Sequence, residues 1–186
     1  NIDTEIKVAF DFANKKIKEN GYQIVEMNIP ILDLYKKVPI WQFASVECAT
    51  EYLYLYDEKK YLIDPNVLRR IERAKEVTAV EYNLLKKIRE NLIVEFNQFL
   101  KNNFLLMPTV TIKPPSLEKC KDSEYYDEAN LVSLRNTTLA NYMNGCSISI
   151  PYFENKKPIG IMLNATTNED DYLLSISSEI EKLLQK

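Results

Sequence analysis

The sequence contains no histidine and only three glycines, whereas a soluble chain of this length would carry about 13 glycines at roughly 7% usage. Without histidine there is no Ser-His or Cys-His catalytic pair and no histidine metal ligand. Gly21, Gly145 and Gly160 are far apart, so the sequence has no glycine-rich loop that could cradle a phosphate. These scarcities exclude nucleotide-binding loops and most hydrolytic triads.

The number of cysteines and the net charge are also low, and both are informative. The three cysteines, Cys48, Cys120 and Cys146, are odd in number and widely spaced, which predicts neither a zinc cluster nor a disulfide framework. The net charge is only −3, so nothing attracts the chain as a whole to nucleic acid or to an anionic lipid surface. We expect a reducing, cytoplasmic setting, no metal, no cofactor, no direct nucleic-acid partner and no membrane association.

The chain is long enough for a real hydrophobic core, with 186 residues of which 46% are hydrophobic. It begins at Asn1 rather than methionine, which leads us to expect a fragment. Apolar residues recur at helical spacing over residues 4–20, with Asp3 placed as the N-cap and Gly21 just beyond the last turn. The next segment, 22–29, is rich in β-branched and aromatic residues and predicts a strand.

Residues 31–103 contain no glycine and follow the helical period. Prolines and a capping box, Thr78-Ala-Val-Glu81, divide this helical block into predicted helices at about 40–56, 65–76 and 79–103.

The remainder predicts a sheet and a final helix. A long surface loop is expected over residues 108–130, and a last helix is expected after Asn168, where acidic residues suit the helix dipole. The predicted sheet-forming segments are 22–29, 104–107, 146–151 and 158–164. Together these features predict an α/β fold, with a mixed β-sheet and a helical layer, in one part-domain over residues 1–186.

Several motifs follow one another in a distinctive order. They are Leu105-Leu106-Met107-Pro108-Thr109, Arg135-Asn136-Thr137-Thr138, Ser147-Ile148-Ser149-Ile150-Pro151 and Pro158-Ile159-Gly160-Ile161-Met162-Leu163. In this order and spacing they resemble the C-terminal region of the amidase-signature enzymes, the group that holds simple amidases and the A subunit of glutamyl-tRNA amidotransferase. Upstream, Val67-Leu68-Arg69-Arg70-Ile71 resembles the family's Val-Lys-Arg-Arg-Ile stretch. The resemblance implies the C-terminal portion of the amidase-signature fold.

The resemblance also implies a chemistry that this chain lacks. The family transfers an acyl group to a serine that is activated through a second serine, on a cis peptide, and a lysine. That apparatus requires a glycine- and serine-rich loop, which is absent from this sequence. We therefore expect no catalytic residue here and no activity of the chain alone. The chain would supply pocket wall and fold to an amidase that hydrolyses the carbon–nitrogen bonds of linear amides.

The expected partners follow from that interpretation. They are the missing N-terminal catalytic half of the same polypeptide and, in the intact enzyme, a small amide substrate. A sheet cut from a larger one leaves an unpaired edge, so we also expect the chain to self-associate. Two alternatives stay open: part of a glutamyl-tRNA(Gln) amidotransferase A subunit, and a non-enzymatic interaction domain built from the helical block.

The resemblance places substrate contacts at two points of the sequence. Arg70 or Arg69 could hold a substrate carboxylate, because a guanidinium matches a carboxylate in geometry. Arg135, Asn136 and Thr137 would flank an acyl pocket. The alternative for the arginine pair is ordinary helix-surface ion pairing with Glu72, Asp64 or Glu76. Cys146 is expected to be a packed structural thiol.

Overall fold

A computed structural model of the chain describes residues 2–154 and 157–185. The chain divides into two compact units. The sheet unit comprises residues 1–28 and 93–186, and the helical unit comprises residues 29–92. The single part-domain over residues 1–186 stays a prediction.

Eight α-helices and three strands are present in the part of the chain that the structure describes. The helices are α1 (Thr4–Glu19), α2 (Pro30–Tyr35), α3 (Trp41–Lys59), α4 (Pro65–Glu72), α5 (Ala79–Leu100), α6 (Ser123–Leu134), α7 (Thr137–Tyr142) and α8 (Asp170–Leu184). The strands are β1 (Leu105–Pro108), β2 (Cys146–Glu154) and β3 (Lys157–Ala165). Short 3₁₀ turns lie at Lys60–Leu62, Arg73–Glu76 and Lys119–Lys121. None of the described helices is long and apolar enough to cross a membrane.

Helix α1 begins and ends where the sequence predicts. The Asp3 carboxylate accepts a hydrogen bond from the backbone N–H of Glu5 at 2.9 Å and so caps the helix N-terminus. After the last turn the chain reverses through Gly21, whose φ of +94° is accessible mainly to glycine.

The strands form one antiparallel sheet in the order β1-β3-β2. Helices α1 and α8 contact this sheet, and the buried core contains apolar residues of α1, α8, β2 and β3. Its members are Ala9, Ala13, Ile17, Ile150, Tyr152, Ile161, Leu163, Ala165, Leu173, Ile180 and Leu184. The predicted α/β class with a helical layer is confirmed, with the described sheet antiparallel in both pairings rather than mixed.

The predicted strands 104–107, 146–151 and 158–164 are confirmed as β1, β2 and β3. The turn expected between the last two includes residues 155 and 156, which lie outside the described residues. The helical block is confirmed too: α3, α4 and α5 match the three predicted helices. Helix α2 is not among the three predicted helices; it begins at Pro30.

The strand predicted at 22–29 is wrong. Its residues form neither helix nor strand, and they pair with no strand among those described. Tyr22 and Ile24 pack against the core, while Val25 and Met27 are 63% and 60% exposed. β-Branched composition favours an extended backbone, but a strand also needs a neighbour that takes up its hydrogen bonds.

The loop predicted at 108–130 is also wrong over its second half. Helix α6 starts inside it because the Asp122 carboxylate caps the helix by accepting from the backbone N–H of Tyr125 at 2.8 Å. Its buried face includes Ala129. This cap, Asp122, is one of the charged residues that led to the prediction of a loop.

Within the helical unit, side-chain contacts link α3 to α4 and α5. The Ser45 hydroxyl donates to the carbonyl oxygen of Arg70 at 2.8 Å. The rings of Phe43 and Tyr82 meet edge to face at 5.5 Å, and the Tyr82 hydroxyl donates to Glu47 at 3.0 Å. These contacts fix the helix that carries the arginine pair.

Candidate functional site: the segment after strand β1

The backbone that leaves β1, residues 108–111, is held by groups from three other parts of the sheet unit. Asn136, between α6 and α7, donates from its side-chain amide to the carbonyl oxygen of Pro108 at 2.6 Å. The backbone N–H of Thr109 donates to the Gly160 carbonyl of β3 at 2.9 Å. The backbone N–H of Asp3 donates to the Thr111 carbonyl at 2.8 Å. This segment is therefore fixed on both sides rather than free to move as a loop.

Side-chain hydroxyls also meet at this segment. The Thr109 hydroxyl and the Ser149 hydroxyl of β2 are 2.5 Å apart and share a hydrogen bond. They reach each other over Gly160, where an added Cβ would collide with both hydroxyl oxygens. A glycine is required here because Thr109, just after β1, contacts Ser149 of β2 across the central strand.

Arg135 also bonds to the 108–111 segment. Its guanidinium donates from Nη2 to the Thr111 hydroxyl at 3.0 Å. Lys113 lies just beyond, with its Nζ 2.7 Å from a Glu5 carboxylate oxygen. This bond raises the pKa of Lys113 above its usual value; desolvation opposes the shift, and the charge of the neighbouring Asp3 carboxylate adds to it. The arrangement ties the start of the following loop to α1.

Thus the structure brings three of the five predicted binding residues together. Arg135 and Asn136 bond directly to the 108–111 segment, and the Thr137 hydroxyl donates to the carbonyl oxygen of Leu134 at 3.2 Å. These three side chains therefore bond to neighbouring protein atoms. Their substrate-binding role stays a prediction.

Arg69 and Arg70 lie elsewhere, in the last turn of α4 within the helical unit. Arg69 is exposed and its guanidinium donates to the side-chain carbonyl of Asn66 at 3.4 Å, while Arg70 is half-buried. Two of the acidic residues predicted as ion-pair partners of these arginines have other contacts. Asp64 caps the N-terminus of α4, and Glu72 is 3.7 Å from Lys75. The ion-pair alternative with these acids stays a prediction.

Cys146 lies at the start of β2, beside an open cavity of about 360 Å³. Its thiol donates to the carbonyl oxygen of Thr166 at 3.4 Å. Burial, and secondarily the nearby Asp170 carboxylate, raise the pKa of the thiol. A raised pKa favours the neutral thiol over the nucleophilic thiolate. Within residues 2–154 and 157–185, no group of three or more acidic or cysteine side chains could hold a metal ion.

The family model described as Amidase matches residues 1–174. The chain belongs to the amidase family. A curated relative, the 2-amino-5-chloromuconic acid deaminase of Comamonas testosteroni, is 27% identical over 190 residues, which cover 98% of this chain and 40% of the deaminase. The chain therefore spans well under half the length of that relative.

Solved structures of amidase-signature enzymes share the fold. The structure of 6-aminohexanoate cyclic dimer hydrolase complexed with substrate matches with a TM-score of 0.75 at 20% identity, covering 100% of this chain and 42% of the hydrolase. The A subunit of glutamyl-tRNA(Gln) amidotransferase from Thermotoga maritima matches with a TM-score of 0.66 at 22% identity, covering 97% of this chain and 39% of that protein. The expected C-terminal portion of the amidase-signature fold is thereby confirmed.

Within this amidase-family chain, sequence reasoning missed the residues that hold the 108–111 segment. It did not predict the Thr109–Ser149 contact, the Asn136 bond to Pro108 or the Asp3 bond to Thr111. One signal was available: Gly160 interrupts an apolar β-strand, and such a glycine marks a close approach. The partners of that approach are separated by 40 residues in sequence, so no local pattern identifies them.

Proposed function

We propose that this chain is the C-terminal part of an amidase, a hydrolase acting on the carbon–nitrogen bonds of linear amides, and that it supplies pocket wall and fold while the catalytic groups lie outside it. The observation that carries the proposal is the match of the Amidase family model to residues 1–174. The missing glycine- and serine-rich loop supports the second half of the proposal, because the acyl-transfer apparatus requires it.

The 108–111 segment is the part of the wall that the geometry supports best. Its backbone is fixed by Asn136 and Gly160 through hydrogen bonds of 2.6 and 2.9 Å. A catalytic pocket needs such rigid supports, because small displacements of the substrate reduce the reaction rate strongly. In this proposal Asn136 and Arg135 are positioning residues that hold the wall, and Thr137 belongs to the same turn.

Arg70, with Arg69 as its neighbour, is the proposed anchor for a substrate carboxylate. The half-buried position of Arg70 supports this role, since a charge-assisted hydrogen bond gains strength away from bulk water. The relative from Comamonas testosteroni is named for its action on an acid. This agrees with an anionic substrate.

The partner of the chain, in this proposal, is an N-terminal catalytic half of the same polypeptide. The genomic sequence gives a direct test: the reading frame should continue upstream of Asn1 into a glycine- and serine-rich segment. A stop codon directly upstream of Asn1, with no separate gene for such a segment, would contradict the proposal.

An amide-hydrolysis assay tests the division of labour. The purified 186-residue chain should release ammonia from acetamide, longer aliphatic amides and glutamine only at the background rate. The same chain expressed together with its upstream half should hydrolyse at least one linear amide. Turnover by the chain alone that is abolished by Cys146→Ala, Ser147→Ala or Ser149→Ala would contradict the absence of catalytic residues.

Two alternatives predict different results. A glutamyl-tRNA(Gln) amidotransferase A subunit would use glutamine in the presence of partner subunits and tRNA, and the fold shared with the Thermotoga maritima protein favours keeping this alternative. A non-enzymatic interaction domain built from the helical unit would show no hydrolysis with any upstream half.

A further inference from the structure

Two of the three glycines in the sequence directly follow an asparagine, in the dipeptides Asn20-Gly21 and Asn144-Gly145. An asparagine in this position can react with its own backbone. The backbone nitrogen of the next residue can attack the side-chain carbonyl carbon, and a glycine has no Cβ to obstruct that approach. Both glycine N–H groups are hydrogen-bonded in the folded chain, so the rate at each pair depends on how easily the fold releases this nitrogen.

The Asn144-Gly145 pair is enclosed by its neighbours. The Gly145 N–H donates to the carbonyl oxygen of Ala140 at 2.9 Å, and the Thr167 hydroxyl donates to the carbonyl oxygen of Asn144 at 2.7 Å. The packing is also tight, because a Cβ added to Gly145 would lie 2.5 Å from the carbonyl oxygen of Ala165 in β3. Release of the Gly145 nitrogen therefore requires the turn between α7 and β2 to separate from the end of β3.

Thr167 is itself attached to α5. Its backbone N–H donates to the side-chain oxygen of Asn97 at 3.3 Å, and the side-chain amide of Asn97 donates to the Thr167 hydroxyl at 3.4 Å. Both residues are partly buried. Opening of the chain at Asn144 would therefore disturb a set of hydrogen bonds that extends to a second helix.

The Asn20-Gly21 pair, in contrast, is exposed at the C-terminal end of α1. Apart from its chain neighbours, no heavy atom of the described residues lies within 4 Å of a Cβ built on Gly21. The Gly21 N–H donates to the carbonyl of Lys18 at 3.1 Å, and the Asn20 side-chain amide donates to the carbonyl of Lys16 at 2.8 Å. Both bonds belong to the last turn of the helix, and helix ends open at little cost in free energy.

We propose that Asn20 is a site of spontaneous deamidation and that the fold protects Asn144 from the same reaction. The Gly21 nitrogen loses its proton and bonds to Cγ of Asn20. The bond between Cγ and Nδ2 breaks, and the amide nitrogen leaves with that proton as ammonia. Water then opens the resulting succinimide ring at either carbonyl, which gives aspartate or isoaspartate. Water is the only co-reactant.

Both products weaken the end of α1. A carboxylate at residue 20 lies at the negative end of the helix dipole, and it cannot donate to the Lys16 carbonyl. Isoaspartate also adds a methylene group to the backbone just before Gly21, whose φ is +94°. Asn20→Asp reproduces the aspartate product and should melt at a lower temperature than the parent chain. An unchanged melting temperature would contradict this consequence.

Incubation of the 186-residue chain at mildly alkaline pH tests the proposal, with the modified fraction at each asparagine measured by peptide mass spectrometry. In the folded chain, Asn20 should deamidate at least about tenfold faster than Asn144. In concentrated urea, where neither turn is held, this difference should disappear. Equal rates in the folded chain would overturn the proposal. A difference of the same size in urea would also overturn it, because the local sequence rather than the fold would then set the rates.

A pair of variants tests the source of the protection. Thr167→Val keeps the shape of the side chain but removes the hydroxyl that donates to Asn144. It should accelerate deamidation at Asn144 by about twofold to tenfold and leave Asn20 unchanged. Thr50→Val is the matched control, since the Thr50 hydroxyl donates to the carbonyl of Val46 on an exposed helix surface, and it should change neither rate.

Thermal melting followed by circular dichroism shows whether each variant is folded. If Thr167→Val is unfolded, the comparison of the two asparagines in the parent chain, folded and in urea, still decides the proposal. If Thr167→Val is folded and Asn144 reacts no faster than in the parent chain, the protection assigned to the Thr167 hydroxyl is overturned.

Discussion

The hydroxyl oxygens of Thr109 and Ser149 lie 2.5 Å apart, although the central strand β3 runs between the two strands that lead to them. Neighbouring strands are about 4.8 Å apart, so two outer strands can approach in this way only where the central one has no side chain. Gly160 provides that position. The contact attaches the 108–111 segment to strand β2, just before the loop that follows this segment.

Replacing Gly160 should therefore destabilise the protein. In Gly160→Ala, the new Cβ would meet the hydroxyls of Thr109 and Ser149 and the Thr109 Cβ. We expect a loss of about 1–3 kcal/mol in the free energy of unfolding, measured by urea denaturation. Ser149→Ala is the control: it removes one hydrogen bond and should cost no more than about 1.5 kcal/mol. Equal stability of Gly160→Ala and the parent chain would show that the approach is looser than described.

Removing the Asn136 side chain should release the carbonyl of Pro108. The hydrogen bond from the Asn136 side-chain amide to this carbonyl is partly buried and 2.6 Å long. Asn136→Ala should therefore lower the free energy of unfolding by about 1–3 kcal/mol. Asn83→Ala is the matched control, since its amide bonds only to a carbonyl four residues back on an exposed helix surface. The control should change stability by less than about 0.5 kcal/mol. Equal effects of the two substitutions would remove the positioning role of Asn136.

The capping box at α5 should make stability depend on acid. The Glu81 carboxylate accepts from the backbone N–H and the hydroxyl of Thr78, both at 2.8 Å, and these bonds lower the pKa of Glu81 below its usual value of 4.5. A carboxylate with a lowered pKa in the folded state adds stability above its unfolded pKa, and that contribution is lost as the pH falls through the folded value.

Helix stability should accordingly decline as the pH drops below about 4.5. Circular dichroism of thermal unfolding at neutral and acidic pH would measure the decline. Glu81→Gln keeps an acceptor but cannot titrate, so part of the pH dependence should disappear in this variant. An identical pH profile in both proteins would contradict the contribution of Glu81.

Cys146 should react slowly with thiol reagents near neutral pH. Its pKa is raised by burial and by the Asp170 carboxylate, so little thiolate is present. Alkylation by iodoacetamide, followed by peptide mass spectrometry, should be slower at Cys146 in the folded chain than in the same chain unfolded in urea. Asp170→Asn removes the negative charge and should accelerate the reaction. Equal rates in the folded and unfolded chains would show that the thiol is more exposed than described.

Arg70 should distinguish acidic from neutral substrates in the enzyme that contains both halves. In the proposed role it binds a carboxylate, and a charge-assisted contact is worth about 1.5–3 kcal/mol. Arg70→Ala should therefore raise KM for glutamine-like amides about tenfold or more and leave neutral amides nearly unaffected. Lys75→Ala, another change of a cation in the helical unit, is the control and should affect neither substrate class. Equal losses on acidic and neutral amides would exclude the carboxylate anchor.

Features that depend on neighbours in the chain could be predicted from the amino-acid sequence alone. Helix α1 and its Asp3 cap, the Thr78–Glu81 capping box and the strand pair β2 and β3 all follow from periodicity and local hydrogen bonding. The family resemblance was readable for the same reason, because its motifs are short and stand in a defined order. Arg135 and Asn136 are predicted site residues on the same basis, whereas their contacts could not be predicted from the motif.

Features that depend on partners distant in sequence could not be predicted in this way and are visible only in the folded chain. Segment 22–29 has strand-like composition, yet it pairs with no strand among the described residues, because β-propensity does not supply a neighbour. Thr109 and Ser149 meet because three strands align in one register and Gly160 has no side chain. A local pattern encodes the conformation of each segment, whereas long-range pairing determines which segments come into contact, as at the 108–111 segment.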